Sequence, residues 1–287
     1  MSVLVQDDGL SGARRRLRPR RTTLAGLALV GVIALAALAA PLLPWDPEAV
    51  DLMARLEGPS AAHWLGTDHL GRDLLARLLH GASVSLGAVA VIVALILTLG
   101  IGIGGLSGFL GGRTDRIVMR VCDGFLTVPT FVLAMFMVGV LGTGLTNVVL
   151  AIALSHWAWY ARIVRGMVLS LRERDFVAAA IVSGASRPRV FVEHILPGVL
   201  VQLVVLATLD IGHMILHVAG LSFLGLGVTP PTPEWGVMIS DAREFIWTQP
   251  MLMLWPGLMI LLTVMGFNLL GDALRDRLDP TLAGDDH

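Results

Sequence analysis

Six stretches of this sequence run for close to twenty residues with almost no charge: 24–43, 84–106, 124–141, 146–164, 196–222 and 252–271. At 1.5 Å per residue, a helical run of this length crosses the roughly 30 Å of hydrocarbon in a bilayer. Charged residues make up 15% of the chain, against about 25% in an ordinary soluble domain. The chain therefore reads as an all-α polytopic membrane protein with six transmembrane helices. The third stretch is the least regular, because Asp123 and Pro129 lie near its start. The first is followed by Pro41 and Pro44 rather than by a small-residue cleavage site, so it reads as a retained span and not a signal peptide.

Composition removes several functions. All 21 basic residues are arginine, and there is no lysine. A phosphate-binding loop of the GxxxxGK[ST] type needs its lysine, so the chain carries no such ATPase site and binds no nucleotide cofactor of its own. One cysteine, Cys122, excludes an internal disulfide and a cysteine-rich metal site. No basic face with interleaved aromatics points to nucleic acid. Arginine placement supplies an orientation. The run RRRLRPRR, the 107–123 loop, the 162–194 loop and the C-terminal end together hold 17 arginines, leaving Arg55, Arg72, Arg77 and Arg243 for the other side. The positive-inside rule then puts both termini in the cytoplasm, with the loops 44–83 and 223–251 outside. Trp45, Trp64, Trp235, Trp247 and Trp255 fall in or near these outer segments, as interfacial anchors do.

Polar residues inside apolar runs are costly and face a cavity or the interior of a bundle. Gln202, Asp210, His213 and His217 of the fifth stretch share an arc of roughly 80° on one helical face. We read that face as lining a translocation pathway or the seam with a second subunit. Two further readings start from Asp210, His213 and His217: a metal site, since histidines at i and i+4 share a face, and an intramembrane hydrolase. Neither has a supporting motif such as HExxH, and the expected metal set is empty. Gly100, Gly104 and Gly108 recur every four residues, as in a close-packed helix face. In TDHLGRD, residues Asp68, His69, Arg72 and Asp73 suggest salt bridging near the outer surface. Ser83 and Ser85 are placed to cap a helix start.

The segment FVAAAIVSGASRPRVFVEHILP, 176–197, stands apart: it is short, small-residue-rich and flanked by charge. Its alanines predict a helix that Gly184 ends. It resembles the EAA loop of ABC-transporter permeases, with Ala179, Ala180, Gly184, Leu196 and Pro197 matching. Ala178 stands at that family's glutamate position, and His194 at its usual isoleucine. The segments HWLGTDHLGRDLLARLLHGASVSL (63–86), GLSFLGLGVTPPTPEWGVMISDAR (220–243) and GFNLLGDALRDRLDP (266–280) look like the DppC/OppC group of binding-protein-dependent peptide permeases. The similarity runs from about residue 24 to residue 280.

That resemblance implies the type I ABC importer permease fold in a cell (inner or cytoplasmic) membrane. It divides the chain into a tail (1–23), a first transmembrane helix (24–43), an external loop (44–83), a transport core (84–271) with a coupling loop at 165–195, and a second tail (272–287). It implies that Val177, Ala178, Ala179, Ala180, Gly184, Ala185, Ser186 and Arg187 form a coupling helix that docks on an ATPase subunit. ATP and Mg are then used by the partner. The implied partners are a second permease of the DppB/OppB kind, ATP-binding subunits, an extracytoplasmic substrate-binding protein and the lipid bilayer. The implied cargo is a di- or oligopeptide, with nickel, haem, glutathione or another small solute as the alternative.

Overall fold

The computed structural model describes residues 21–278. The arginines before Arg21 and the last nine residues, with the parts of both tails they belong to, lie outside the described residues. Within them the chain is helical, with no strand and one isolated bridge between Thr67 and Asp73. In order, the helices are α1 (Arg21–Ala39), α2 (Leu74–Leu110), α3 (Gly112–Leu126), α4 (Thr130–Leu141), α5 (Leu145–Arg172), α6 (Asp175–Val182), α7 (Arg187–Phe223), α8 (Trp235–Ala242) and α9 (Met251–Leu278).

Helices α1, α2, α7 and α9 are long and apolar enough to cross a membrane, and α3 with α4, bent by 87° between them, form a broken span or a re-entrant loop. Helix α5 has 28 residues, about 42 Å. It is more polar than the other four because its neighbours screen it. It packs on α2, α3, α4 and α7, and Ala151, Ile152, Ala158, Ala161 and Val168 are fully buried. A span enclosed by protein can hold His156, Trp159 and Tyr160 where a lipid-facing span would not.

Glycine lets α2 and α5 approach each other. A Cβ added at Gly100 would come within 2.7 Å of the Tyr160 Cβ, and one at Gly108 within 3.0 Å of the Arg165 carbonyl oxygen; at Gly104 it would collide with the Ala161 backbone. The expected close-packing face is therefore the α2–α5 seam. Its helix widens to a π turn over Gly100–Gly104 at this point.

Two expected boundaries are corrected. The second span begins ten residues before 84. Asp73 caps α2 by accepting the Ala76 N–H at 2.7 Å, so Ser83 and Ser85 are interior residues and cap nothing. The Ser83 hydroxyl donates to the Ala37 carbonyl of α1, and Ser85 donates to Glu234 at 3.0 Å. The third span is not one helix over 124–141. Pro129, with no N–H and a fixed φ, stands at the 87° break between α3 and α4, so the expected kink is present as a full break between two helices. Only 12 residues, about 18 Å, continue beyond it.

The segment before α2 and helix α8 form a stitched cap. Asp68 accepts from the Leu70 and Arg72 backbone and from the Arg72 guanidinium at 2.7 Å, and lies 3.4 Å from Arg77. Asp241 of α8 reaches both arginines, at 3.5 and 3.8 Å. Arg77 also donates to the carbonyls of Pro47 and Pro231. His63 lies 2.9 Å from Asp73. The expected salt bridging in TDHLGRD is present, and it is buried: Arg72 and Arg77 are each 1% exposed. Glu234, fully buried, accepts the Val237 N–H, and the Trp235 indole donates to the Leu78 carbonyl. These contacts fix the 44–73 loop and α8 to the N-terminal end of α2.

Candidate functional site

A buried carboxylate in a span is stable only with partners. Asp210 of α7 is buried, and its partners come largely from α5. The Tyr160 hydroxyl donates to Asp210 Oδ2 at 3.1 Å, and His156 Nε2 lies 3.2 Å from the same oxygen. The His156 contact is charge proximity rather than an aligned hydrogen bond, since neither ring nitrogen of His156 has a hydrogen-bond partner. The ring is held instead against Trp159 and Tyr160, at centroid distances of 5.3 and 5.7 Å. His213 Nδ1 stands 3.5 Å from Asp210 Oδ1, with its side chain 72% exposed.

The four polar residues expected on one face of the fifth span do not act as one row. His217 turns onto its own helix, its Nδ1 bonded to the His213 carbonyl at 2.7 Å, and its ring rests on Phe131 of α4. Gln202 is two turns away, about 12 Å along the axis. It opens into a cavity of about 510 Å³ lined by Ile163, Met167, Leu206 and Arg275. Asp210, His213 and His217 do not converge, and among the described residues no group of three histidine, cysteine or acidic side chains is arranged to hold a metal. The hydrolase arrangement also finds no support: the Tyr160 phenol donates to Asp210, and the nearby imidazoles are in charge proximity only.

Sequence reasoning missed His156 and Tyr160. The signal was present in SHWAWYAR, an unusually polar and aromatic segment for the middle of a span. That pattern alone does not reveal that it meets Asp210 across two helices.

At the other end of α5 lies the segment 176–197 that resembles the EAA loop. After Arg172 the chain turns through Glu173 and Arg174 into α6. Gly184, at φ +87°, ends that helix as expected, with the Ala185 N–H donating to the Ala180 carbonyl at 3.1 Å. The left-handed backbone there favours glycine. Val177 is fully buried and anchors α6 to the bundle, so its side chain is not a docking contact. The outward edge carries Phe176, Ile181 and Val182, exposed at 49%, 57% and 89%, together with Ala178 and Ala179. Those three large apolar residues were not singled out from the sequence. The following turn over Val190–Ile195 is π-helical, as suits a chain entering Pro197, which cannot donate back.

Comparison with known proteins places these features. Residues 100–284 match the family described as the binding-protein-dependent transport system inner membrane component, and residues 10–59 match the N-terminal TM domain of oligopeptide transport permease C. The chain is 62% identical over 257 residues to the nickel transport system permease protein NikC of Escherichia coli (strain K12), covering 89% of this chain and 93% of that one. It is 47% identical to the probable D,D-dipeptide transport system permease protein DdpC of the same strain, over 84% of this chain and 82% of that one. It is 44% identical to the glutathione transport system permease protein GsiD of Pectobacterium atrosepticum, over 94% and 90%.

Proposed function

Since the chain belongs to the family of binding-protein-dependent transport system inner membrane components, a permease subunit of an ABC importer without an ATPase site of its own, we propose that its cargo is a nickel-bearing solute rather than a peptide. The observation that carries this is the 62% identity with a nickel permease over nearly the whole chain, against 42–47% with peptide and glutathione permeases. The chemistry around Asp210 agrees with it. Imidazole and carboxylate are suitable donors for nickel, and His156, Asp210 and His213 offer them without forming a closed cage. A conducting site needs that balance, because a solute held too well does not leave. On this reading Asp210, His156 and His213 meet the cargo in passage. His217 shapes the helix beside them, and Gln202 lines the cavity on the coupling side.

Docking of α6 on an ATPase subunit would use Phe176, Ala178, Ala179, Ile181 and Val182. Ala180, Gly184 and Ala185 shape the segment, and Ser186 and Arg187 start the next helix. ATP and Mg act in that partner. A second permease of the DppB/OppB kind would complete the pathway, and a soluble binding protein would deliver the solute to the outer cap. Arginine asymmetry supports a cytoplasmic placement of both termini and of α6.

The test is uptake by cells lacking this chain, complemented with the natural sequence or with Asp210→Asn, using radioactive nickel and a labelled dipeptide in parallel. Restored nickel uptake that Asp210→Asn reduces, with dipeptide uptake unchanged throughout, is the expected result. Restored dipeptide uptake without nickel uptake would move the cargo to the peptide class and leave the permease assignment intact.

A further inference from the structure

Helix α3 has one face that nothing among the described residues covers. Its inner side is Val118, Met119, Cys122, Phe125 and Leu126, packed on Trp157, Ala158 and Ala161 of α5 and on Leu99 and Ile103 of α2. Its two acidic groups are satisfied by α5: Asp115 pairs with Arg165, and Asp123 with Arg162. What remains outward is a regular pattern. At 100° per residue, Arg113, Arg116 and Arg120 fall within an arc of about 60°, and Ile117 and Val121 occupy the arc beside them. All three arginines are exposed, and Ile117 and Val121 are 66% and 46% exposed. Arg116 reaches only the Gly112 carbonyl of its own helix, at 3.4 Å. Among the described residues no carboxylate pairs with any of the three.

The position of α3 indicates what this face meets. It joins α4 at 87°. The ion pairs describe the same geometry independently. Asp115 and Asp123 are eight residues apart, about 12 Å along α3, while Arg165 and Arg162 are three apart, about 4.5 Å along α5. Helix α3 therefore crosses α5 steeply. With α5 spanning the bilayer, α3 lies near the membrane plane, at the end of α5 that leads to α6.

We propose that α3 is an interfacial helix whose Arg113, Arg116 and Arg120 bind the phosphates of anionic phospholipid headgroups, with Ile117 and Val121 set into the acyl boundary. A membrane surface is the environment that offers phosphate oxygens and hydrocarbon side by side along one helical face. An acidic soluble partner would satisfy the arginines and leave the branched aliphatics without cover. Guanidinium groups form paired, charge-assisted hydrogen bonds to phosphate, and the leaflet's negative potential adds attraction for each.

The full chain in nanodiscs of phosphatidylcholine alone, or of phosphatidylcholine mixed with phosphatidylglycerol, tests this by hydrogen exchange over 112–126. Phosphatidylglycerol slows exchange there in the natural chain. The triple variant Arg113→Gln, Arg116→Gln, Arg120→Gln exchanges alike in both lipids, while Arg174→Gln, an exposed arginine outside α3, keeps the lipid response. Lipid competition followed by native mass spectrometry reads each single variant as about a fivefold loss of phosphatidylglycerol preference. Equal exchange of the natural chain in the two lipids would overturn the proposal. So would a lipid response that survives in the triple variant, or protection that follows addition of a second permease whatever the lipid.

Discussion

The cap over the start of α2 gives the sharpest energetic test, because two of its acidic groups, Asp68 and Asp241, hold the same two arginines from different depths. Asp68 is 9% exposed at its side chain, accepts two backbone N–H groups and the Arg72 guanidinium, and stands 3.4 Å from Arg77. Asp241 is 24% exposed and lies 3.5 and 3.8 Å from the same cations. Asp68→Ala leaves two buried guanidinium groups with only the more distant carboxylate. Breaking a buried pair from one side costs about 3–5 kcal/mol. Asp241→Ala removes a weaker, more hydrated partner, at about 1 kcal/mol. At roughly 2–4 °C per kcal/mol, Asp68→Ala lowers the melting temperature by on the order of 10 °C, and Asp241→Ala by about 3 °C. Thermal unfolding of the purified chain in mild detergent measures both. Asp68→Asn keeps an acceptor for the backbone donors and falls between them. Equal shifts for the two alanine variants would refute the reasoning. It would mean that water in the cap solvates Arg72 and Arg77 and that depth does not decide the cost.

Two further outcomes follow from the packing. Gly104→Val drives a side chain into the Ala161 backbone and lowers the melting temperature by the equivalent of about 1–3 kcal/mol or more, whereas Gly87→Val, where an added Cβ meets nothing within 4 Å, stays near the natural value. Val182→Asp, at an 89% exposed position, leaves the melting temperature unchanged but abolishes co-purification of the ATPase; Val177→Asp, at a fully buried one, lowers the melting temperature first.

The sequence revealed most where one local rule decides the outcome. The glycine ladder at 100, 104 and 108 could be read because small residues every four positions serve few purposes in an apolar helix. Gly184 could be read because a glycine after an alanine-rich turn is a helix stop. The start of α2 was misread for the opposite reason. Asp73 was grouped with the charged loop, and Ser83 and Ser85 were the more visible capping residues. Their hydroxyls are satisfied instead by Ala37 and Glu234, distant in sequence. A bend at Pro129 could be read, but not that the chain breaks there into two helices, because apolar content does not report a break. Asp210 stood out as polar, but its neighbours Tyr160 and His156 sit 50 and 54 residues earlier, and helical periodicity has no range over such separations.

The Asp210 cluster and α6 are linked by simple counting along two helices. Leu171 of α5 and Gly198 of α7 are level, since a Cβ at Gly198 would come within 3.1 Å of Leu171. Tyr160 is eleven residues from Leu171 and Asp210 twelve from Gly198, about 17 and 18 Å along their axes. The hydroxyl and the carboxylate therefore arrive at the same depth and bond. Beyond the level contact, α5 and α7 are joined by α6, which Val177 ties to the bundle. Helix α2 packs closely on α5 along the glycine seam. If α6 is the docking segment proposed above, a displacement applied at its exposed edge would reach the hydrogen bond between Tyr160 and Asp210 through these two helices. If α5 and α7 separate, Tyr160 must release Asp210 and leave a buried carboxylate short of a donor, at about 1–3 kcal/mol. A solute cation beside His156 and His213 would offset that loss. On the function proposed above, this bond would act as a latch whose opening cargo favours, and Tyr160→Phe should weaken the dependence of partner ATPase activity on cargo more than it weakens assembly.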